Sequence, residues 1–190
     1  GQGPNDVGFL EGLRDSLGCT AVLVDHSEDP NLRRRGNYTR SSDARLIWQR
    51  HQTVDLIVRL TDGDVTQAQK VCREEERRWP EQARSLLVVG VCDRDVEHWL
   101  CLDPDYAGRV LDFDPRQLPA DREAKSGFIK SRIRIACPDG DYRGFVRRVV
   151  REAPPEILKR WLENGAFADF YDQCRAAAQR RDCIVANLRD

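Results

Sequence analysis

The sequence predicts a single α/β domain built on a parallel sheet, and three observations carry that reading. Three short apolar runs, at residues 19–24, 55–60 and 86–92, read as buried strands. Segments of helical spacing lie between and around them, so the order is that of parallel strands joined by crossover helices. The chain just beyond each run is acidic: Asp25 after the first, Asp62 and Asp64 after the second, Asp93, Asp95 and Glu97 after the third. Open parallel sheets place their ligand sites beyond the carboxyl ends of the strands.

The elements follow in order. Val7, Leu10, Leu13 and Leu17 recur at helical spacing, with Asp6 placed to cap that helix and Gly18 to end it. Residues 25–42 are polar and contain Pro30 and Gly36, which predicts a loop. A short helix follows, from Ser41 or Ser42 to about His51. After the second run a turn leads into a helix from Val65 to Trp79, closed by Pro80. Residues 93–100 read as a helix start or an extended turn. Residues 103–145 are polar and punctuated by Pro104, Pro115, Pro119 and Pro138, and read as irregular. The C-terminal part is helical. One helix follows Pro154 and Pro155; a second, from about Ala166 to Arg181, carries Phe167, Phe170, Tyr171, Cys174 and Ala178 on one stripe. The chain opens at Gly1 in the middle of a motif, which predicts a further strand ahead of residue 1.

Composition sets the class. With 190 residues, 40% hydrophobic and 33% charged, the chain can bury a core and is not of disordered type. A net charge of −1 means that any nucleic-acid binding needs a local basic patch. Seven cysteines, without a CxxC pair, read as reduced thiols, Cys72, Cys92 and Cys101 in or beside the core, and predict a cytoplasmic protein. The three histidines show no zinc-ligand spacing with cysteine. No apolar run is long enough for a membrane span, and no signal-peptide pattern is present.

The acidic turn Asp62-Gly63-Asp64 carries the functional expectation. Carboxylates crowded at strand ends raise one another's pKa values unless a positive charge sits among them, and a hard cation is the simplest such charge. Mg²⁺ takes one or two carboxylates, waters and phosphate oxygens. Asp62 and Asp64 are two residues apart, hence on the same side of an extended backbone, with Gly63 allowing a tight turn between them. The same three letters recur at 139–141 behind Pro138 and no strand, where they read only as a turn. An EF-hand is excluded because the sixth loop position would be Gln67 rather than glycine.

The stretch Gly1-Gln2-Gly3-Pro4-Asn5-Asp6, followed by Thr61-Asp62-Gly63-Asp64 and then Val96-Glu97-His98-Trp99-Leu100, resembles the TOPRIM fold, and most closely the small standalone TOPRIM-like proteins related to the OLD-family nucleases. The resemblance covers roughly residues 1–103. It implies a TOPRIM-like, Rossmann-like parallel sheet with helices on both faces over that core, and an irregular connection and helical extension over 104–190 packing on the same domain. It also implies an Mg²⁺- or Mn²⁺-dependent nuclease that cleaves DNA or RNA, in antiphage defence or as a toxin, with an ATPase as possible partner. Asp62 and Asp64 would hold the metal, Glu97 would help hold a second one, and the side chain at position 2 would activate water or add a ligand. The family pattern has Glu there. This chain has Gln2, which cannot ionise, so it is either a naturally disabled form or one altered at that residue.

Two basic groups are candidates for phosphate contacts: Arg33, Arg34 and Arg35, continued by Arg40, Arg45 and Arg50, and a later set of Arg132, Arg134, Arg143, Arg147, Arg148 and Arg151 whose spacing suggests a strand and a helix. Tyr38 and Tyr142 lie among them, placed to stack bases or to face solvent. His98 reads as a phosphate contact or a partly exposed polar residue; Trp99 and Leu100 read as core. The alternative function is a non-catalytic TOPRIM-like module that binds nucleic acid or an ATPase partner. A phosphorylated receiver-like domain also clusters acids at strand ends, but it needs a lysine after a late strand, and none stands in a suitable place.

Overall fold

The computed structural model describes residues 3–19, 41–63, 65–180 and 187–189. Two strands, β1 (Ile57–Gly63) and β2 (Leu87–Asp93), pair in parallel from Ile57↔Leu87 to Gly63↔Asp93. Parallel neighbours need a crossover. It is supplied by a 3-10 turn (Val65–Gln67) and helices α3 (Ala68–Arg78) and α4 (Glu81–Arg84). Helix α1 (Pro4–Ser16) precedes this unit, and α2 (Ser41–Arg50) leads into it. The expected strand at 19–24 lies, apart from Cys19, outside the described residues, as do Arg33, Arg34, Arg35 and Tyr38.

The mixed α/β class and the parallel pairing are as expected, and helices cover both faces of the strand pair. Leu60, Val88 and Cys92 face the main core, while Ile57 and Leu87 pack on the other side against Ala44, Trp79 and Ala83. At the centre of the main core the Phe9 ring lies 5.9 Å from that of Trp161 and 5.7 Å from that of Trp99. Phe167 meets Phe9, Trp99 and Trp161 edge-on. Each such pair adds about 0.5–1.5 kcal/mol beyond the area it buries. Phe170 and Tyr171 of the expected aromatic stripe are buried as well. Phe170 lies so close over Gly90 that a Cβ there would come within 2.6 Å of its ring.

The stretch 103–145 is not irregular. It holds α6 (Pro104–Leu111), a 3-10 turn (Pro115–Gln117), α7 (Arg122–Ala136) and the start of α8 (Tyr142–Arg151). Pro104 and Pro115 are first-turn residues behind the capping side chains of Asp103 and Asp114, where proline's missing N–H costs nothing. Asp121 caps α7 in the same way. The Asp139-Gly140-Asp141 turn does what its letters suggest: Gly140 takes a positive φ of 81° and Asp141 caps α8. The later basic set therefore lies on two helices, not on a strand and a helix. Helices α5 (Val96–Leu100), α9 (Pro155–Trp161) and α10 (Gly165–Gln179) complete the described elements.

Helices α1 and α8 run parallel in close contact, because Gly8 and Gly12 let α1 touch the α8 backbone. A Cβ on Gly8 would sit 2.4 Å from the carbonyl oxygen of Arg143, and one on Gly12 would sit 2.6 Å from that of Arg147. Ion pairs flank the seam, Arg143 to Glu11 at 2.6 Å and Arg147 to Asp15 at 2.7 Å. This packing fixes the head of α1, and with it Asn5 and Asp6, beside the strand ends. Among the described residues the cysteines at 19, 72, 92, 101, 137 and 174 are free thiols, and no helix is long and apolar enough to cross a membrane.

Candidate metal centre

Four elements bring acids to the carboxyl end of the strand pair. Asp62 ends β1 on the side that faces the main core, in register with Cys92 of β2. Asp93 ends β2. Asp95 caps α5 by accepting from His98 N, and Glu97 follows in its first turn. Asp6 is not the N-cap expected of it: the helix starts at Pro4 rather than Val7, Gly3 holds the N-cap position, and Asp6, inside the first turn of α1, reaches back to accept from Gly3 N at 2.7 Å. The buried Cys92 thiol marks where these groups converge. Burial pushes its pKa well up, and the charges of Asp6, Asp62, Asp95 and Glu97 push it further.

The acids differ in how they are satisfied. Asp93 pairs with Arg122 at 2.7 Å and lies 3.9 Å from His98 Nε2. Asp95 accepts from Lys130 Nζ at 2.8 Å and from Ser126 Oγ, both on α7. Glu97 accepts from Asn5 Nδ2 at 2.7 Å. Asp62 is exposed, and no side chain among the described residues forms an ion pair with it. The surrounding protein withdraws enough water from its carboxyl to raise its pKa, and Asp6 and then Asp95 raise it further. A cation placed at Asp62 would relieve all three effects. Between the strands, Arg94 sits at φ 85°, in the left-handed region, and its N–H donates to Gly63 O at 2.9 Å. A non-glycine residue held there costs of order 1–3 kcal/mol, a kind of strain that clusters at functional sites.

Gln2 and Asp64 lie outside the described residues; of the expected set the structure places Asp62 and Glu97 at the same strand ends, each close enough to the Cys92 thiol to raise its pKa. Among the described residues no three His, Cys, Asp or Glu side chains form a closed ligand set. What is present is an open, oxygen-rich edge of the kind Mg²⁺ takes with water completing its shell. Asn5 adds to the fit: its Oδ1 is buried with no hydrogen-bond partner among the described residues, on the side chain that holds Glu97. A neutral carbonyl oxygen of this type is a hard-cation ligand.

Sequence reasoning did not single out Asn5, Asp6, Ser126, Arg94, Arg122 or Lys130 for the site. His98 proves buried rather than partly exposed. Burial first, and then Lys125, lower its pKa, so it is neutral at pH 7, and its Nδ1 has no partner among the described residues. Arg147 is committed to Asp15, and Arg148 lies exposed over the Phe145 ring. The cations around the strand ends are instead Arg94, Arg122, Lys125 and Lys130.

The carboxyl of Glu97 carries a testable cost. Burial, and then the charge of Asp95, push its pKa from 4.5 to about 7. Between those values the folded chain keeps a proton that the unfolded chain has lost, so stability falls as pH rises through the window and stays lower above it. At 1.36 kcal/mol per pKa unit the cost above the window is on the order of 3 kcal/mol. Glu97→Gln keeps an acceptor for Asn5 and removes the charge. Its Tm in chelator-treated buffer is expected to exceed the parent's at pH 8, with the gap closing toward pH 5. A gap that widens on acidification would contradict the assignment.

No protein-family model, curated protein or solved structure matches this chain.

Proposed function

We propose that this chain is a TOPRIM-type, divalent-metal-dependent nuclease core in which Asp62 is the principal metal ligand, with Asp6 and Asn5 as the further oxygen donors at hand and Asp64, two residues on in the sequence, as the second ligand the family resemblance implies. The observation that carries the reading is the state of Asp62: a carboxylate at a strand end with no ion-pair partner among the described residues, while Asp93 and Asp95 have theirs, and with its pKa raised first by burial and then by Asp6 and Asp95. A bound Mg²⁺ or Mn²⁺ would polarise a phosphodiester and stabilise charge developing on its oxygens. The chain's own part is to present the ligands at the end of β1 and the head of α1, and to draw the phosphate in through Arg94, Arg122 and Lys125. DNA and RNA both carry that phosphate.

The second reading is a TOPRIM-like module that holds metal and nucleic acid, or an ATPase partner, without cutting. It is favoured by Gln2, an amide where the family pattern has the acid. Cleavage of a panel of single- and double-stranded DNA and RNA with Mn²⁺, by the chain as it stands and by Gln2→Glu, separates the two. Activity restored only in Gln2→Glu supports a nuclease disabled at one residue. A folded Gln2→Glu protein that cleaves nothing rejects the enzyme reading.

In either case Asp62→Asn is expected to weaken Mn²⁺ affinity at least roughly 10–100-fold, the loss typical even of a partner outside the metal's own shell. Calorimetric titration checks it, and an unchanged affinity would remove Asp62 from the site.

A further inference from the structure

The acids at the strand ends are unequally supplied with positive charge. Lys130 Nζ lies 2.8 Å from Asp95 Oδ2 and 3.9 Å from Glu97 Oε2. The two carboxylates that face it are held from three sides. Ser126, one helical turn earlier on α7, donates to the same Asp95 oxygen, so α7 grips Asp95 by an i, i+4 pair. The other Asp95 oxygen accepts from His98 N. The other Glu97 oxygen accepts from Asn5. Each carboxylate therefore turns one oxygen toward the ammonium and has its second oxygen engaged elsewhere.

A divalent ion bridging Asp95 and Glu97 would have to stand where Lys130 Nζ stands, since metal–oxygen distances near 2.1 Å leave no room for both. Even displaced to about 4 Å from the ammonium, such an ion would meet a repulsion that weakens its binding by roughly a thousandfold or more.

We propose that Lys130 is a built-in cation occupying the second-cation position, so that the centre takes a single divalent ion, at Asp62. The inference rests on the metal reading above and revises one expectation within it: Glu97 is a carboxylate held by Lys130 and Asn5, not a ligand of a second metal. Lys130 is thus a positioning residue, and its role is read from metal stoichiometry rather than from turnover.

The test is the number of Mn²⁺ ions bound per full chain, counted by loss of the free-ion electron paramagnetic resonance signal. One ion is expected in the parent and in Lys130→Arg, and two in Lys130→Met, with an unchanged far-ultraviolet circular dichroism spectrum. Lys130→Gln serves in its place if Lys130→Met does not fold. Two ions in the parent would overturn the inference and leave the metal reading standing. One ion in a folded Lys130→Met or Lys130→Gln would do the same. No ion in the parent would overturn both.

Discussion

Gly8→Ala is expected to lower stability by about 2 kcal/mol, although alanine is the better helix former. The added Cβ would meet the carbonyl oxygen of Arg143 at 2.4 Å, and that atom is backbone, so α1 and α8 must move apart. Overpacking costs about 1–3 kcal/mol, and a clash with backbone lies at the upper end, about 3 kcal/mol, so about 2 kcal/mol of loss remains after the roughly 1 kcal/mol that alanine gains over glycine inside a helix. Gly127 provides the internal control. It lies within α7 with nothing inside 4 Å of its would-be Cβ, so Gly127→Ala is expected to gain about 0.5–1 kcal/mol. In a domain of this size the pair should separate in Tm by roughly 5–12 °C with opposite signs. The head of α1 supplies Asn5 and Asp6, so Gly8→Ala should also weaken Mn²⁺ binding, whereas Gly127→Ala should not. If Gly8→Ala matched or exceeded the parent in Tm, the close α1–α8 contact would be wrong.

That contact also shows where sequence reading stops. The apolar runs that form β1 and β2 are legible because a buried parallel strand is largely apolar on both faces, and its short run stands out between polar, helically spaced segments even with Arg59 inside it. The acids at their ends are legible because topology places strand ends together whatever the intervening chain does. The partners of those acids are not. Lys130, Ser126 and Arg122 come from a helix in a stretch that reads as irregular, because its prolines read as breakers. A signal to the contrary is present: an aspartate stands before Pro104 and before Pro115, and Asp103 and Asp114 cap their elements. The expectation that crowded carboxylates need a positive charge is sound, and part of that charge proves to be Lys130 rather than a metal. Its contact with Asp95 spans 35 residues, and nothing in the local pattern marks it. The later arginines show the reverse. Their spacing advertises a basic face, but Arg143 and Arg147 are neutralised by Glu11 and Asp15 across the α1–α8 seam, a pairing that depends on two glycines opposite them.

Glu75 offers the largest expected loss from removing a single charge. It is 2% exposed, on α3, and its carboxylate holds Arg59 of β1 at 3.3 Å and Arg78 at 2.6 Å. Arg59 is itself buried, in the middle of β1 on the face that turns away from the main core. Glu75→Ala removes the counter-charge and leaves that guanidinium buried with no carboxylate partner among the described residues, which typically costs about 3–5 kcal/mol. Arg78, which is partly exposed, can turn its charge to water and contributes little to the loss. Replacing both members of the pair with apolar residues should behave differently. Arg59→Leu with Glu75→Leu removes both desolvation costs and is expected to fall within about 1 kcal/mol of the parent or above it. The cycle is read by urea unfolding. A double variant as unstable as Glu75→Ala would mean that the pair contributes net stability beyond avoiding an unpaired charge. The outcome bears on the site, because β1 runs from Arg59 directly to Asp62. If the ion pair also sets how β1 lies against α3, the double variant will keep its stability and lose Mn²⁺ affinity. If packing alone sets it, both will be retained.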